Sequence, residues 1–218
     1  MNAQGKRSGE TAREYAYRMI REQVISLELK PGEAFNDMEF AAKIGVSRTP
    51  VREAVIQLSE ESRIIEIFPQ RGMRIAPIDV ELVEEARSLR VLLEKQIAGM
   101  CCEMATEEDI KWLQENVGLQ EFYMENSRPE MVMQLDDEMH HKLFMICHRE
   151  LTYGMCQKLA IHYDRIRSLS VNTVKDNTII EDHRKIIQFI AEHKKEKHLS
   201  RWQLNEGKFR QEFPDYFK

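Results

Sequence analysis

The stretch KIGVSRTPVREAVIQLSEE, residues 43 to 61, opens with a glycine turn, passes through a hydroxylated basic cluster and continues as an apolar-periodic helix. Ala54, Val55 and Leu58 recur at helical spacing and bury one face. Ser47, Arg48, Thr49 and Arg52 gather at the head of the same helix, with Pro50 in the first turn, where a missing N–H costs little. Arg48 and Arg52 are four residues apart and Thr49 and Arg52 three apart, so they occupy neighbouring positions on one face. Arginines there can fork onto a guanine edge or a phosphate, and the hydroxyls can bond phosphate oxygens. The plain alternative is a solvated first turn with two incidental arginines.

The flanking segments decide between these readings. Upstream, residues 13–27 carry Tyr17, Ile20, Val24 and Leu27 at the spacing of an amphipathic helix, which ends before the breaker pair Pro31 and Gly32. A second short helix fits Asp37 to Ile44, closed by Gly45, and a third runs from Arg48 to about Leu58. Downstream, RIIEIFPQRGMRIAPI, residues 63–78, reads as two β-prone runs around a turn at Pro69, Gln70, Arg71 and Gly72. Three helices followed by a hairpin is the order of a winged helix-turn-helix, whose second motif helix enters the major groove by its N-terminal end.

Composition is consistent with this and removes other classes. The 218 residues, 42% of them hydrophobic, suffice for one large domain or two modest ones. No apolar run approaches the roughly 20 residues that span a bilayer, and MNAQGKRSGE lacks the apolar stretch of a signal peptide, so a cytoplasmic protein is expected. Cys101, Cys102, Cys147 and Cys156 show no CxxC spacing and read as reduced, helix-face thiols. The net charge of −5 is uneven: residues 1–78 hold 12 Lys plus Arg against 11 Asp plus Glu, and residues 79–218 hold 20 against 26. An anion partner therefore belongs with the first part, since placement of charge matters more than its total.

LKPGEAFNDMEFAAKIGVSRTPVREAVIQLSEE resembles the DNA-binding domain of the GntR family of bacterial transcription regulators, whose usual form has a PGE turn and a GVSRTPVREAL core. The likeness covers roughly residues 12 to 78. It implies that Ser47, Arg48, Thr49 and Arg52 contact double-stranded DNA and that Arg71 and Gly72 form a wing tip at the minor groove. Ser62 and Arg63 stand where the family usually has Gly-Leu, so a serine is expected at the helix exit. Met38 occupies a place where some relatives carry a DNA-contacting arginine.

The remainder is helical by pattern. Val80 to Met104 carries Leu82, Ala86, Leu89, Leu93 and Ile97 on one stripe, and further helices are expected at 107–124, 129–147, 151–169, 179–193 and 195–213. The expected architecture is mainly α: a winged helix-turn-helix over residues 1–78 joined to an antiparallel helical bundle over 79–218. In LDDEMHHKLF, Asp136 and His140 are four apart on one helix face and able to reach one cation, while His183 opens another helix. Alone, an Asp-x3-His pair is a weak signal.

The helical part is similar to the FCD ligand-binding domain of the FadR subfamily, in which a D-x-x-F-H motif and two later histidines bind a divalent metal. That resemblance implies a zinc, nickel or manganese site at Asp136, His140 and His183, the last at the expected 43 residues beyond His140. Asn205 stands where the third histidine belongs and offers a carboxamide oxygen, a weaker ligand for zinc or nickel. His148 and Arg149 replace a usual Gly-Asn. Arg90 matches the arginine of an R-x-x-L-E segment and is suited to hold a carboxylate effector, with an ion pair to Glu94 as its competing use. His141, His162, His193 and His198 read as surface or satisfied core residues.

The function expected is a homodimeric, sequence-specific transcription regulator, not an enzyme, whose operator binding answers to a small organic acid. The other classes are a metal-dependent enzyme on the bundle, for which no nucleophile or general base stands beside the ligands, and a metal-free sensor or carrier of acyl-type ligands. A carrier would leave Arg48 and Arg52 unexplained.

Overall fold

The computed structural model describes residues 5–173, 178–193 and 214–216, which fold as two compact units. Of the described residues, the first unit holds 5–83, 161–165 and 214–216, and the second holds the rest.

In the first unit, α1 spans Ala12–Ile25. Thr11 accepts from the Glu14 N–H, and the Glu14 side chain reaches back to Thr11, a reciprocal cap that satisfies two otherwise orphaned donors. The helix stops two residues short of the expected end because Ser26 caps it and Leu27 turns to a φ of 62°. Gly32, at a φ of 81°, then donates to the Ile75 carbonyl at 2.8 Å. That turn brings in a strand the sequence pattern had not revealed, β1 (Ala34–Phe35). It pairs antiparallel with β3 (Gly72–Ile75), which pairs with β2 (Ile65–Phe68), giving the order β1-β3-β2. Phe35 faces Met73 and Ile65 faces Ile75 across the sheet.

Helix α2 occupies Asp37–Ile44 as expected, with Asn36 accepting from the N–H groups of Met38 and Glu39 and Gly45 closing it at a φ of 74°. Helix α3, Arg48–Ser62, is four residues longer than its apolar pattern suggested. Ser62 stays helical and buried, its hydroxyl donating to the Leu58 carbonyl at 2.9 Å, so it does not take the exit position expected of it. Arg63 does, at a φ of 54°. Ile20, Val24, Phe40, Val51, Leu58 and Ile65 form the buried core, and Ile161 joins it.

The second unit is built from α4 (Val80–Met104) from residue 84 on, α5 (Glu107–Glu125), α6 (Pro129–Ile146), α7 (Glu150–Leu159), α8 (Ile161–Thr173) from residue 166 on, and α9 (Thr178–Ala191). Pro129 starts α6, as its position required. The single helix expected over 151–169 is in fact two, divided at Ala160, which caps α7 by donating to the Cys156 carbonyl. No glycine or proline marks the break. Its physical reason is tertiary: Ile161 is fully buried in the first unit's core, whereas α7 buries no residue fully. The first turn of α8 is further fixed within the first unit by His162, whose ring lies 3.2 Å from both the Ser62 carbonyl and the Asp79 N–H. Ile97, Leu113, Met139, Leu143, Phe144 and Ile187 form the second core. The helix expected at 195–213 lies outside the described residues. No described helix is long and apolar enough to cross a membrane.

The left-handed exit of α3 yields a first test. An L-residue pays about 1 kcal/mol or more for that conformation, and glycine does not. Arg63→Gly is therefore expected to stabilise the fold by roughly 0.5–1 kcal/mol. Chemical denaturation should show the midpoint rising with an unchanged slope; a fall would mean that the Arg63 side chain holds more than its backbone costs.

Candidate functional site

Two groups of polar residues stand out, one in each unit. In the first, the head of α3 is unusual for what it lacks. Ser47 is the N-cap, yet its hydroxyl makes no capping bond, and the first turn holds no acid. Elsewhere Thr11 and Thr106 use the same position to build full capping boxes. The positive end of α3 is thus left uncovered, with Ser47, Arg48, Thr49 and Arg52 all exposed around it. Arg48 Nε donates to Asp37 Oδ1 at 3.0 Å, and Arg52 Nη1 lies 3.5 Å from Asp37 Oδ2. Arg71 and Gly72 sit at the exposed tip of the β2–β3 turn, where Gln70 (φ 62°) and Gly72 (φ 100°) supply the reversal. Behind the tip, Arg74 pairs with Glu66 and stacks over Phe68 at 5.3 Å. Met38 is exposed on the first turn of α2 and brings no charge.

In the second unit the sequence-predicted ligands converge. Asp136 and His140 of α6 and His183 of α9 are buried, and one donor atom from each lies within 4.8 Å of the others. One ion bonded at about 2.0–2.6 Å can bridge that span. Burial holds the His183 imidazole down to about 4, the strongest influence on it, against the opposing pull of Asp136. His183 is therefore neutral at physiological pH. Its Nδ1 lies 2.9 Å from Gln120 Oε1, while the Gln120 amide donates to Asn116 Oδ1 at 2.7 Å. With that amide orientation the ring proton sits on Nδ1, leaving the Nε2 lone pair 3.4 Å from Asp136 Oδ1. Two acceptors facing each other in a buried site fit a cation between them, so these residues suit a divalent metal.

The surroundings are more cationic than the sequence suggested. Arg167 of α8, not anticipated, binds Asp136 Oδ2 and lies 2.9 Å from Asp137. Arg90 pairs with Glu94 at 2.6 Å and lies 3.6 Å from Asp136, so the competing ion pair is real and the arginine still faces the cluster. Glu94 also lies 2.8 Å from His140 Nδ1. Burial raises the Glu94 carboxyl, but Arg90 and His140 together hold it down at about 2. Asp136 is likewise buried, and Arg167 and its histidine neighbours keep it below the usual carboxylate range.

A cavity of about 20 Å³ adjoins this cluster, lined by Leu89, Arg90, Glu94, Phe144, Tyr153 and Cys156 among others. That is room for about one water. An organic acid can enter only if the cavity opens. A wider groove of about 360 Å³ between α5 and α9 includes none of the predicted residues.

Asn205 and His198 lie outside the described residues. Of the other described histidines, His141 stacks on Tyr153 at 4.6 Å, His162 is held as described, His193 Nδ1 lies 2.6 Å from the Cys102 carbonyl, and His148 is exposed just beyond α6 at a φ of 54°. Cys101 and Cys147 are buried free thiols 3.4 Å apart. Gln120, Asn116 and Arg167 are the residues that sequence reasoning missed. For Asn116 and Gln120 a signal was present: polar side chains four apart on the stripe of α5 that also buries Leu113, Val117 and Met124.

Residues 12–75 match the family described as "Bacterial regulatory proteins, gntR family", and residues 85–199 match the FCD domain. Among curated proteins, the chain is 28% identical over 209 residues to the HTH-type transcriptional repressor RspR of Escherichia coli, covering 92% of this chain and 91% of that protein. It is 30% identical over 190 residues to an HTH-type transcriptional regulator of Streptomyces ambofaciens, covering 85% and 78%. Among solved structures, E. coli McbR/YncC superposes with a TM-score of 0.74 over 85% of this chain and 89% of that one, at 18% identity, a likeness of fold.

The Gln120 contact generates a prediction. Because it fixes the tautomer and direction of His183, Gln120→Leu should lower zinc or nickel affinity by about 10–100-fold. Titration of chelator-stripped protein measures this directly, and an unchanged affinity would show that Gln120 does not orient a ligand.

Proposed function

The chain belongs to the GntR family of bacterial transcription regulators, carrying an FCD domain after its DNA-binding helix-turn-helix, and we propose that a small organic acid bound in the second unit controls a homodimer's grip on its operator. The observation that carries the reading is the head of α3: an uncapped, exposed helix N-terminus ringed by Ser47, Arg48, Thr49 and Arg52, with the Arg71–Gly72 wing tip beside it in the same unit. Arginines supply forked contacts to guanine or phosphate, and the hydroxyls and helix terminus supply phosphate contacts. DNA binding is assigned to residues 1–78, and effector binding and dimerisation to 79–218.

The class of effector follows from charge. The acids Glu94 and Asp136 face the guanidinium groups of Arg90 and Arg167 in this buried cluster. Asp136, His140 and His183, with Asn205 as the proposed fourth protein ligand, would hold a divalent cation, which would add two positive charges to that cluster. A carboxylate entering with it offsets them and finds Arg90 on the cavity wall. Such an ion, when bound, supplies a Lewis-acid contact for the carboxylate. A metal-free pocket is the second reading, favoured by Arg167, which already neutralises Asp136. In either case the effector must open a cavity that now holds about one water, and that opening is the differential contact by which it shifts the population of dimer arrangements.

Dimerisation is supported by α7. Its Tyr153 and Gln157 line the cavity, while Leu151, Met155 and Leu159, four apart, form an outward stripe 88%, 70% and 52% exposed. An apolar stripe of that kind fits a second copy, and a two-fold pair doubles the DNA surface that one winged domain can read.

Three outcomes are expected. Arg52→Ala should weaken operator binding by about 1–3 kcal/mol per half-site with fold and dimer intact, measured at matched salt. Sedimentation at micromolar protein should show a dimer that Leu151→Glu with Met155→Glu converts to monomer. Asn205→His should tighten zinc or nickel binding and raise the melting temperature with metal present, since imidazole suits these ions better than a carboxamide; no gain would favour the metal-free pocket.

A further inference from the structure

Asp37 stands where a DNA-binding surface should least tolerate it. It is the first residue of α2, its side chain is 97% removed from solvent, and it lies beneath the two arginines that head α3. Arg48 Nε donates to Oδ1 at 3.0 Å; Oδ2 has Arg52 Nη1 at 3.5 Å and no hydrogen bond. A fixed negative charge there subtracts from the attraction of any phosphate backbone. A surface built only for affinity would not keep it.

What the carboxylate supplies is direction. A bond through Nε fixes the plane of the Arg48 guanidinium and leaves both Nη groups, the fork that matches the O6 and N7 edge of guanine. Arg52 is approached through one Nη, leaving Nε and the other Nη. Both side chains remain more than half exposed, so the outward donors are presented and not buried. Arg48 and Arg52 are also like charges four apart on one helix, a mutually repulsive spacing that an acid between them offsets. Long side chains otherwise lose rotamer freedom when they are ordered on DNA.

We propose that Asp37 is a positioning residue for sequence readout: it holds Arg48 and Arg52 in their reading geometry and, by its charge, weakens sequence-independent attachment to DNA. The inference rests on the roles assigned to those arginines. It makes Asp37 a determinant of the ratio between specific and non-specific binding, which is the quantity a regulator among many competing sites depends on.

The test uses the full chain and two probes: a duplex enriched from a random pool by the parent protein, and a scrambled duplex of equal length and composition. Asp37→Asn, nearly isosteric, should lower the ratio of the two affinities about tenfold, with the scrambled duplex bound as tightly as by the parent or more so. In an Arg48→Ala background the same change should alter the ratio clearly less than in the parent, because only Arg52 is left to position. Asp37→Ser, which also suits a first helical turn, carries the same expectation should the asparagine variant not fold. Equal weakening on both duplexes with a lowered melting temperature would show a merely structural role and overturn the proposal. An unchanged ratio with Arg52→Ala still defective would overturn it while leaving the arginines' roles standing. Failure of Arg52→Ala and Arg48→Ala to weaken binding, or of the pool to enrich, would remove the DNA contacts themselves.

Discussion

The carboxylate of Asp136 is buried, and a buried charge costs several kcal/mol unless partners close around it. Compensation for this one comes from several directions at once: Arg167 from α8, Arg90 from α4, His183 from α9, and His140 one turn along its own helix. The Asn116–Gln120 ladder ties α5 into the same group through His183. Five helices are therefore indexed to a single side chain. Apolar contacts among Ile97, Leu113, Met139, Leu143 and Ile187 supply the driving force for assembling the bundle, but greasy faces tolerate sliding by a turn. The charged cluster does not, because each partner reaches Asp136 in one register only.

The first unit obeys a more local rule, in which orphaned helix ends are met by a neighbouring capping residue. Thr11 with Glu14 opens α1, Asn36 opens α2 and Gly45 ends it. The uncovered start of α3 breaks the pattern, which is the feature that the proposed DNA contact rests on. The sheet serves the same end. By donating to the Ile75 carbonyl, Gly32 pins β1 beside β3, and β3 runs directly into the wing tip at Gly72.

Most of this was legible in the sequence where the code is local. The bounds of α2 and α4, the hairpin and the start of α6 follow from capping residues, Pro129 and apolar periodicity, all of which act within a few residues. The failures occur where distant chain decides. A two-residue strand such as Ala34–Phe35 has no period to read; it exists because β3 offers an edge. The break at Ala160 carries no breaker residue, since what ends α7 is the capture of Ile161 by another core. At the candidate site, the spacing of Asp136 and His140 is helical geometry and could be read directly, and His183 came with the family resemblance. Arg167 could not be read that way, because its meaning lies in the direction it points across the bundle. Arg90 shows the limit of a two-way choice: it makes the ion pair with Glu94 and faces Asp136 as well.

The two sites share one device, an acid gripped by two arginines, and differ in where the arginines' remaining donors go. Asp37 is buried but Arg48 and Arg52 are more than half exposed, so the bracket leaves its outer donors open to solvent. Around Asp136 the arginines are themselves largely enclosed, and the bracket closes on its own second acid, Glu94. Charge in the first case is available on contact. In the second it can be altered only by a species that enters the cavity and changes the balance from within, by adding a cation, or a carboxylate, or both. A surface that must meet a large rigid partner quickly is served by the open form, because its electrostatics act before contact. On the proposed reading, the closed form suits a pocket that senses one small acid, because there an added charge is little screened by solvent and acts strongly on the helices that hold its partners.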